Sequence, residues 1–137
     1  MKKILLGAAA LFLIIMSGAW YYVFQYSKTH HRDVANENAL WVSAAQIVKD
    51  YQANEQAANA KYLNKAIGIQ GVVLKRGKDQ AGDITLTLKS GDPFVSVFCT
   101  LKPGISPNLR DSTVVVKGIC TGFLSDVVLD EAIVVNK

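Results

Sequence analysis

The chain has 137 residues, with 15 basic and 11 acidic side chains, and half of its residues are hydrophobic. That length leaves room for one domain of about 100 residues behind an apolar leader, and it argues against a second domain. Lys2 and Lys3 precede the leader, so the remainder carries a net charge of only about +2, with the signs interspersed; this is not the concentrated basic footprint of a dedicated nucleic-acid binder.

Residues 1–24 read as a membrane anchor. Ile4–Phe24 is uncharged and long enough to span a bilayer, and Trp20, Tyr21 and Tyr22 stand at its far end, where amphipathic rings favour the headgroup level. Ser17-Gly18-Ala19 gives a rival reading, a cleaved signal peptide. The apolar run continues through Trp20–Phe24, which favours the uncleaved anchor. No cysteine lies nearby, which excludes a lipid-modified N-terminal cysteine. Lys2 and Lys3 favour an N-terminus inside, diluted by Lys28 and Arg32. The body is expected outside the cytoplasm, on the periplasmic side of an inner membrane.

Residues 25–40 read as a polar linker. His30-His31 has no cysteine or further histidine near it and predicts no metal site. Residues 41–137 are expected to form the domain. Ser43 with Gln46 has the form of a capping box, and Ala44, Ile47, Val48 and Tyr51 fall on one helical face. Asn54 suits a second N-cap and Glu55 a first turn; Ala58 and Tyr62 continue the apolar face. One kinked helix or two short ones are predicted.

Five strands follow. The first, Ala66–Leu74, contains Gly68 and Gly71, which in a strand mark a bulge, a bend or a close approach. Lys75–Gly82 reads as a polar loop. Ile84, Leu86 and Leu88 alternate with Thr85, Thr87 and Lys89. After the turn at Ser90–Pro93, Val95, Val97 and Cys99 alternate with Phe94, Ser96, Phe98 and Thr100. Pro103, Gly104 and Pro107 allow at most one helical turn in Lys102–Ser112. Thr113–Cys120 and Val127–Val135 complete the set, joined through Ser125-Asp126. The pattern predicts a mainly β domain, a five-stranded OB-fold Greek-key barrel with a helical preface and an N-terminal transmembrane helix; a small sandwich is the rival.

Three stretches, S-K-T-H-H-R-D-V-A, V-S-A-A-Q-I-V-K-D-Y-Q-A-N-E-Q-A-A-N-A-K-Y-L-N-K and V-V-V-K-G-I-C-T-G-F-L-S-D-V-V-L, resemble the tRNA_anti-like family of small bacterial OB-fold proteins, often found behind a membrane segment. The resemblance covers about Ser27 to Val135. It implies the OB-fold and brings no catalytic residues with it.

Cys99 and Cys120 both fall on strands. In an OB barrel those two strands are not neighbours, so a disulfide would have to cross the interior; a bridge and two buried thiols both stay open. No catalytic triad, paired carboxylates, metal motif or phosphate loop is present, and neither an enzyme nor a cofactor is expected. Asp126, Asp130 and Glu131 read as a turn residue and solvent-facing charges. The binding face of an OB-fold is the outside of its second and third strands. Here that face predicts Thr85, Thr87, Lys89, Phe94, Ser96 and Phe98, with Lys75, Arg76 and Lys78 from the first loop. The phenylalanines have a second reading, packing beneath the helices. The expected function is a membrane-anchored binding module of the cell envelope, holding a protein, peptide or glycan. Single-stranded nucleic acid on the same face is the alternative, not the favoured one.

Overall fold

The structure, a computed structural model, describes residues 2–26, 33–105 and 113–135, with the side chains of the N-terminal helix from residue 7 to residue 24. His30 and His31, Lys28, Arg32 and Pro107 lie outside the described residues.

The chain divides into two units, Met1–Asp33 and Val34–Lys137. In the first, helix α1 covers Lys2–Tyr21 and ends in a π-helical turn, Tyr22–Tyr26. Its stretch Gly7–Phe24 is long and apolar enough to cross a membrane. The Ser17 hydroxyl donates to the Ile14 carbonyl at 3.0 Å, which satisfies it without solvent.

The second unit runs β1 (Leu40–Ser43), α2 (Ala44–Ala53), α3 (Glu55–Tyr62), β2 (Ala66–Lys78), β3 (Ile84–Leu88), β4 (Val97–Leu101), β5 (Thr113–Phe123) and β6 (Val127–Val134). The strands form one sheet in the order β1-β2-β3-β4-β6-β5, and a further β2–β5 pairing closes β2 to β6 into a barrel. These are the five expected strands. Their closure, with β4 and β6 parallel, is the OB-fold Greek key and removes the sandwich alternative.

Strand β2 performs the closure. Ala66–Val72 pairs with β5; Val73–Lys78 pairs with β3, with a register shift between Val73 and Lys75. The bend therefore lies at Leu74, three residues beyond Gly71. The glycines admit close neighbours instead. A Cβ at Gly68 would lie 2.3 Å from the Trp41 ring, and one at Gly71 would lie 3.2 Å from Leu88 Cβ. Trp41 belongs to β1, a short parallel strand alongside β2 that the sequence did not reveal: four residues between polar neighbours carry no alternation to read.

The two helices close one end of the barrel. Ser43 caps α2, accepting from the Gln46 amide at 3.1 Å. The Gln46 side chain turns away to Asp50 at 2.6 Å, so only half of the expected capping box forms. Asn54 caps α3 by accepting from the Ala57 amide at 2.9 Å. Ala44, Ile47, Val48, Tyr51, Ala58 and Tyr62 are all buried, in one cluster with barrel residues such as Ile67, Leu86, Val97 and Leu129. Tyr51 stacks on Phe123, ring centroids 5.5 Å apart.

Asp50 ties the helices together. It accepts from the Tyr62 hydroxyl at 2.5 Å and from the Lys61 ammonium at 2.9 Å. The Tyr62 bond foremost, then Lys61, lowers its pKa from 3.8 to about 2. A carboxyl depressed by folding stabilises the native state above its unfolded value and loses that contribution as pH falls through its folded one. The stability advantage of the wild type over Asp50→Asn should thus be full above pH 3.8 and vanish as pH approaches about 2. Paired urea titrations across that window check this; a pH-independent difference contradicts it.

Two strand boundaries differ from expectation. β2 runs on through Lys78 because β3 pairs with it as far as Lys78↔Ile84, so Lys75, Arg76 and Lys78 stand on a strand, not in a loop. β4 starts only at Val97 because the preceding amides are taken elsewhere. Asp92 accepts from the Phe94 and Val95 amides at 2.7 and 2.9 Å, and Asp126 accepts from the Ser96 amide at 2.7 Å. Pro103-Gly104 forms a tight turn, with Gly104 at φ 82° and Ile105 N–H donating to Lys102 O at 3.2 Å. The last part of the expected linker is docked on the barrel: Val34, 1% exposed, packs with Ala66 and Ile119.

Candidate ligand-binding face

The outer face of the barrel is read from its register. Lys75 lies opposite Thr87, Thr87 opposite Phe98, and Phe98 opposite Val128, a row across four strands. Alternation sends the intervening Leu86, Leu88, Val97 and Cys99 inward, where all four are buried. The next row is Gly77, Thr85 and Thr100.

These rows form a cleft of about 270 Å³ lined by Lys75, Gly77, Lys78, Asp79, Thr85, Thr87 and Phe98. Five of the nine residues expected from sequence meet there: Lys75, Lys78, Thr85, Thr87 and Phe98. The other four do not line it. Arg76 is in register with the inward Leu86 and so leaves the strand on the side opposite Lys75. Lys89 lies past the end of β3, its amide donating to Val72 O at 2.8 Å. Phe94 sits in the β3–β4 loop, 89% exposed, and the Ser96 amide is held by Asp126. Neither Phe94 nor Phe98 lies beneath the helices; that position belongs to Phe123.

Gly77 and Asp79 were not expected. A Cβ at Gly77 would stand 3.0 Å from Thr85 Oγ1, so the missing side chain keeps the floor of the cleft open. The signal for it was a third glycine in the same strand, obscured by reading Lys75–Gly82 as a loop. Asp79 orders the β2–β3 hairpin, its carboxylate accepting from the Asp83 amide at 2.9 Å. The lining thus includes two lysines, Lys75 on the outward row and Lys78 at the hairpin end in register with Ile84, with two threonines, one carboxylate and one half-buried aromatic ring.

A second cleft of about 320 Å³ adjoins the same row at Val128. Glu55, Asn59, Leu63, Thr121, Gly122, Phe123 and Leu124 complete its lining. It is mainly apolar, and Leu124 at its rim is 83% exposed.

Cys99 and Cys120 are buried and free. Each lies opposite Leu129 on β6, from opposite sides. Two strand spacings separate them by about 10 Å, beyond the 7 Å or so that a bridge tolerates. Of the two readings left open, the structure has the thiols. Burial pushes the Cys99 thiol up to about 12, and Cys120 Sγ lies 3.4 Å from the Tyr51 hydroxyl. Among the described residues, no group of three or more His, Cys, Asp and Glu side chains could hold a metal ion.

Comparison with known proteins agrees with this architecture. A crystal structure of a "putative nucleic acid-binding lipoprotein" from Klebsiella pneumoniae subsp. pneumoniae MGH 78578 superposes with a TM-score of 0.55 at 18% identity, covering 78% of this chain and 100% of that one. At that identity the likeness is one of fold. No curated protein matches the chain. The profile of the tRNA_anti-like family matches residues 1–132, nearly the whole sequence, and the chain belongs to that family.

Proposed function

We propose that the protein is a membrane-tethered OB-fold binding module that holds single-stranded nucleic acid on the outer face of β2, β3 and β4. The observation that carries this reading is the cleft itself: Lys75 and Lys78 beside Phe98, over Thr85 and Thr87. An aromatic ring and lysines lining one cleft suit a base stacked with its phosphates held, each stacked base contributing about 1–3 kcal/mol. The description of the Klebsiella protein supports the same ligand class. The apolar stretch Gly7–Phe24 supports the tether. Lys2 and Lys3 ahead of it support a body outside the cytoplasm, and a reporter fused after Lys137 that folds only after export reads that side directly.

Full-length protein in nanodiscs should bind a labelled oligonucleotide with an affinity that falls with salt, by a log–log slope of about −0.7 for each phosphate neutralised. Lys75→Ala with Lys78→Ala should remove roughly two such increments. An absence of binding at low salt, or a slope the double variant leaves unchanged, contradicts the reading.

A protein or peptide ligand is the second reading, and the apolar cleft under Leu124 favours it. A partner held there is lost with Leu124→Ser and kept with Lys75→Ala.

A further inference from the structure

We propose that the face of the body bearing Trp41 docks on the lipid surface to which the chain is tethered. The inference rests on the reading of α1 as a membrane span. The face is the outer side of β1 and of the first half of β2, at Trp41 and Gly68.

Trp41 stands on β1, the last strand at one end of the sheet order. Its ring lies against the bare backbone of Gly68, yet it is 59% exposed, and Val72, on the same face of β2 as Gly68, is 40% exposed. A large indole resting on a strand with its outer surface in water leaves considerable apolar area uncovered. Gly68 is also in register with Lys117 on β5, and this lysine is buried. Its ammonium donates to the Ala35 carbonyl at 2.9 Å and to the Glu37 carbonyl. With Val34 packed on Ala66 and Ile119, the stretch that leads into the body is clasped to the same face, next to Trp41.

The clasp sets where the tether joins the body. The span ends at Phe24 and the body begins at Val34. The intervening residues 25–33 reach at most about 30 Å when fully extended, comparable to the diameter of a domain of this size. The tether thus joins the body at the clasped face, within about 30 Å of the surface, and the exposed indole on that face is a side chain that favours the headgroup level. The ligand cleft uses the Lys75–Lys78 end of β2 with β3 and β4 and leaves the Gly68 end, where Trp41 rests, free.

The chain has two tryptophans, so two single-tryptophan proteins separate the claims. In full-length Trp41→Phe, Trp20 reports the anchor; in full-length Trp20→Phe, Trp41 reports docking. Both are reconstituted in nanodiscs whose lipids are brominated near the top of the acyl chain. Docking predicts that Trp41 emission falls by about twofold, as for an indole held at headgroup level, and that Val72→Asp, on the same outer face of β2, restores it. Quenched Trp20 with unquenched Trp41 overturns docking and leaves the anchor standing. Quenching of Trp41 that Val72→Asp does not relieve reflects the short tether alone and also overturns docking. Unquenched Trp20 overturns the anchor and docking with it.

Discussion

Tyr51→Ala should lower the stability of the body by about 3–5 kcal/mol, the range for deleting a buried aromatic ring. Tyr51 lies on α2, is fully buried, stacks on Phe123 at the end of β5, lies 6.0 Å from the Tyr62 ring of α3 and reaches Cys120 with its hydroxyl. Removing the ring opens a cavity where helix pair and barrel meet, and neither can collapse into it while Ile47 and Val48 stay packed. Tyr51→Phe keeps the ring and loses only the contact to sulfur, for about 1 kcal/mol or less. Urea unfolding of the three proteins gives the comparison. A loss below 1 kcal/mol for Tyr51→Ala would mean that the helices rest on the barrel without closing it.

The second large effect is expected at Gly118. This residue sits at the β5–β6 register shift between Lys117 and Ile119. A Cβ there would lie 3.0 Å from Ala132 Cβ, 3.1 Å from the Asp130 carbonyl and 3.3 Å from Ala132 Cα. Two of those atoms are backbone, so no rotamer change relieves the clash, and overpacking of this kind costs about 1–3 kcal/mol. Gly68→Ala is the contrast. Its Cβ would come nearer to a neighbour, but that neighbour is the exposed Trp41 ring, which can swing into solvent. Thermal melts should rank Gly118→Ala below Gly68→Ala although the nominal overlap is smaller. Equal losses would show that the β5–β6 pair yields as easily as a surface ring.

The same contrast explains what the sequence made legible. Helical spacing of Ala44, Ile47, Val48 and Tyr51 and the Ser43 and Asn54 caps are local signals, and both N-caps form, though without the Gln46 half of the Ser43 capping box. Strand alternation identified the inward face of β3 and β4 because Leu86, Leu88, Val97 and Cys99 repeat with the period of a half-buried strand. What long-range pairing decides was not legible. β1 exists because β2 offers it a free edge. Lys75–Lys78 is strand because β3 pairs with it. Phe94 left the binding face because Asp92, a local residue, captured its amide and that of Val95. Lys117 lies within a strand, and nothing in its sequence neighbours announces that its ammonium holds two carbonyls from residues 35 and 37. Of the residues assigned by alternation, Thr85, Thr87 and Phe98 meet in the cleft, whereas Lys89, Phe94 and Ser96 fall beyond the paired parts of β3 and β4; of the three assigned to the first loop, Lys75 and Lys78 line it and Arg76 does not.

The central claim is that the Lys75–Thr87–Phe98 row is where ligand sits. Backbone amide NMR of the protein during titration with a single-stranded oligonucleotide tests it directly. The account predicts shifts concentrated at Lys75, Lys78, Thr85, Thr87 and Phe98, weakening with added salt. Shifts centred instead on Asn59, Leu63, Gly122 and Leu124, or none at low salt, would contradict it.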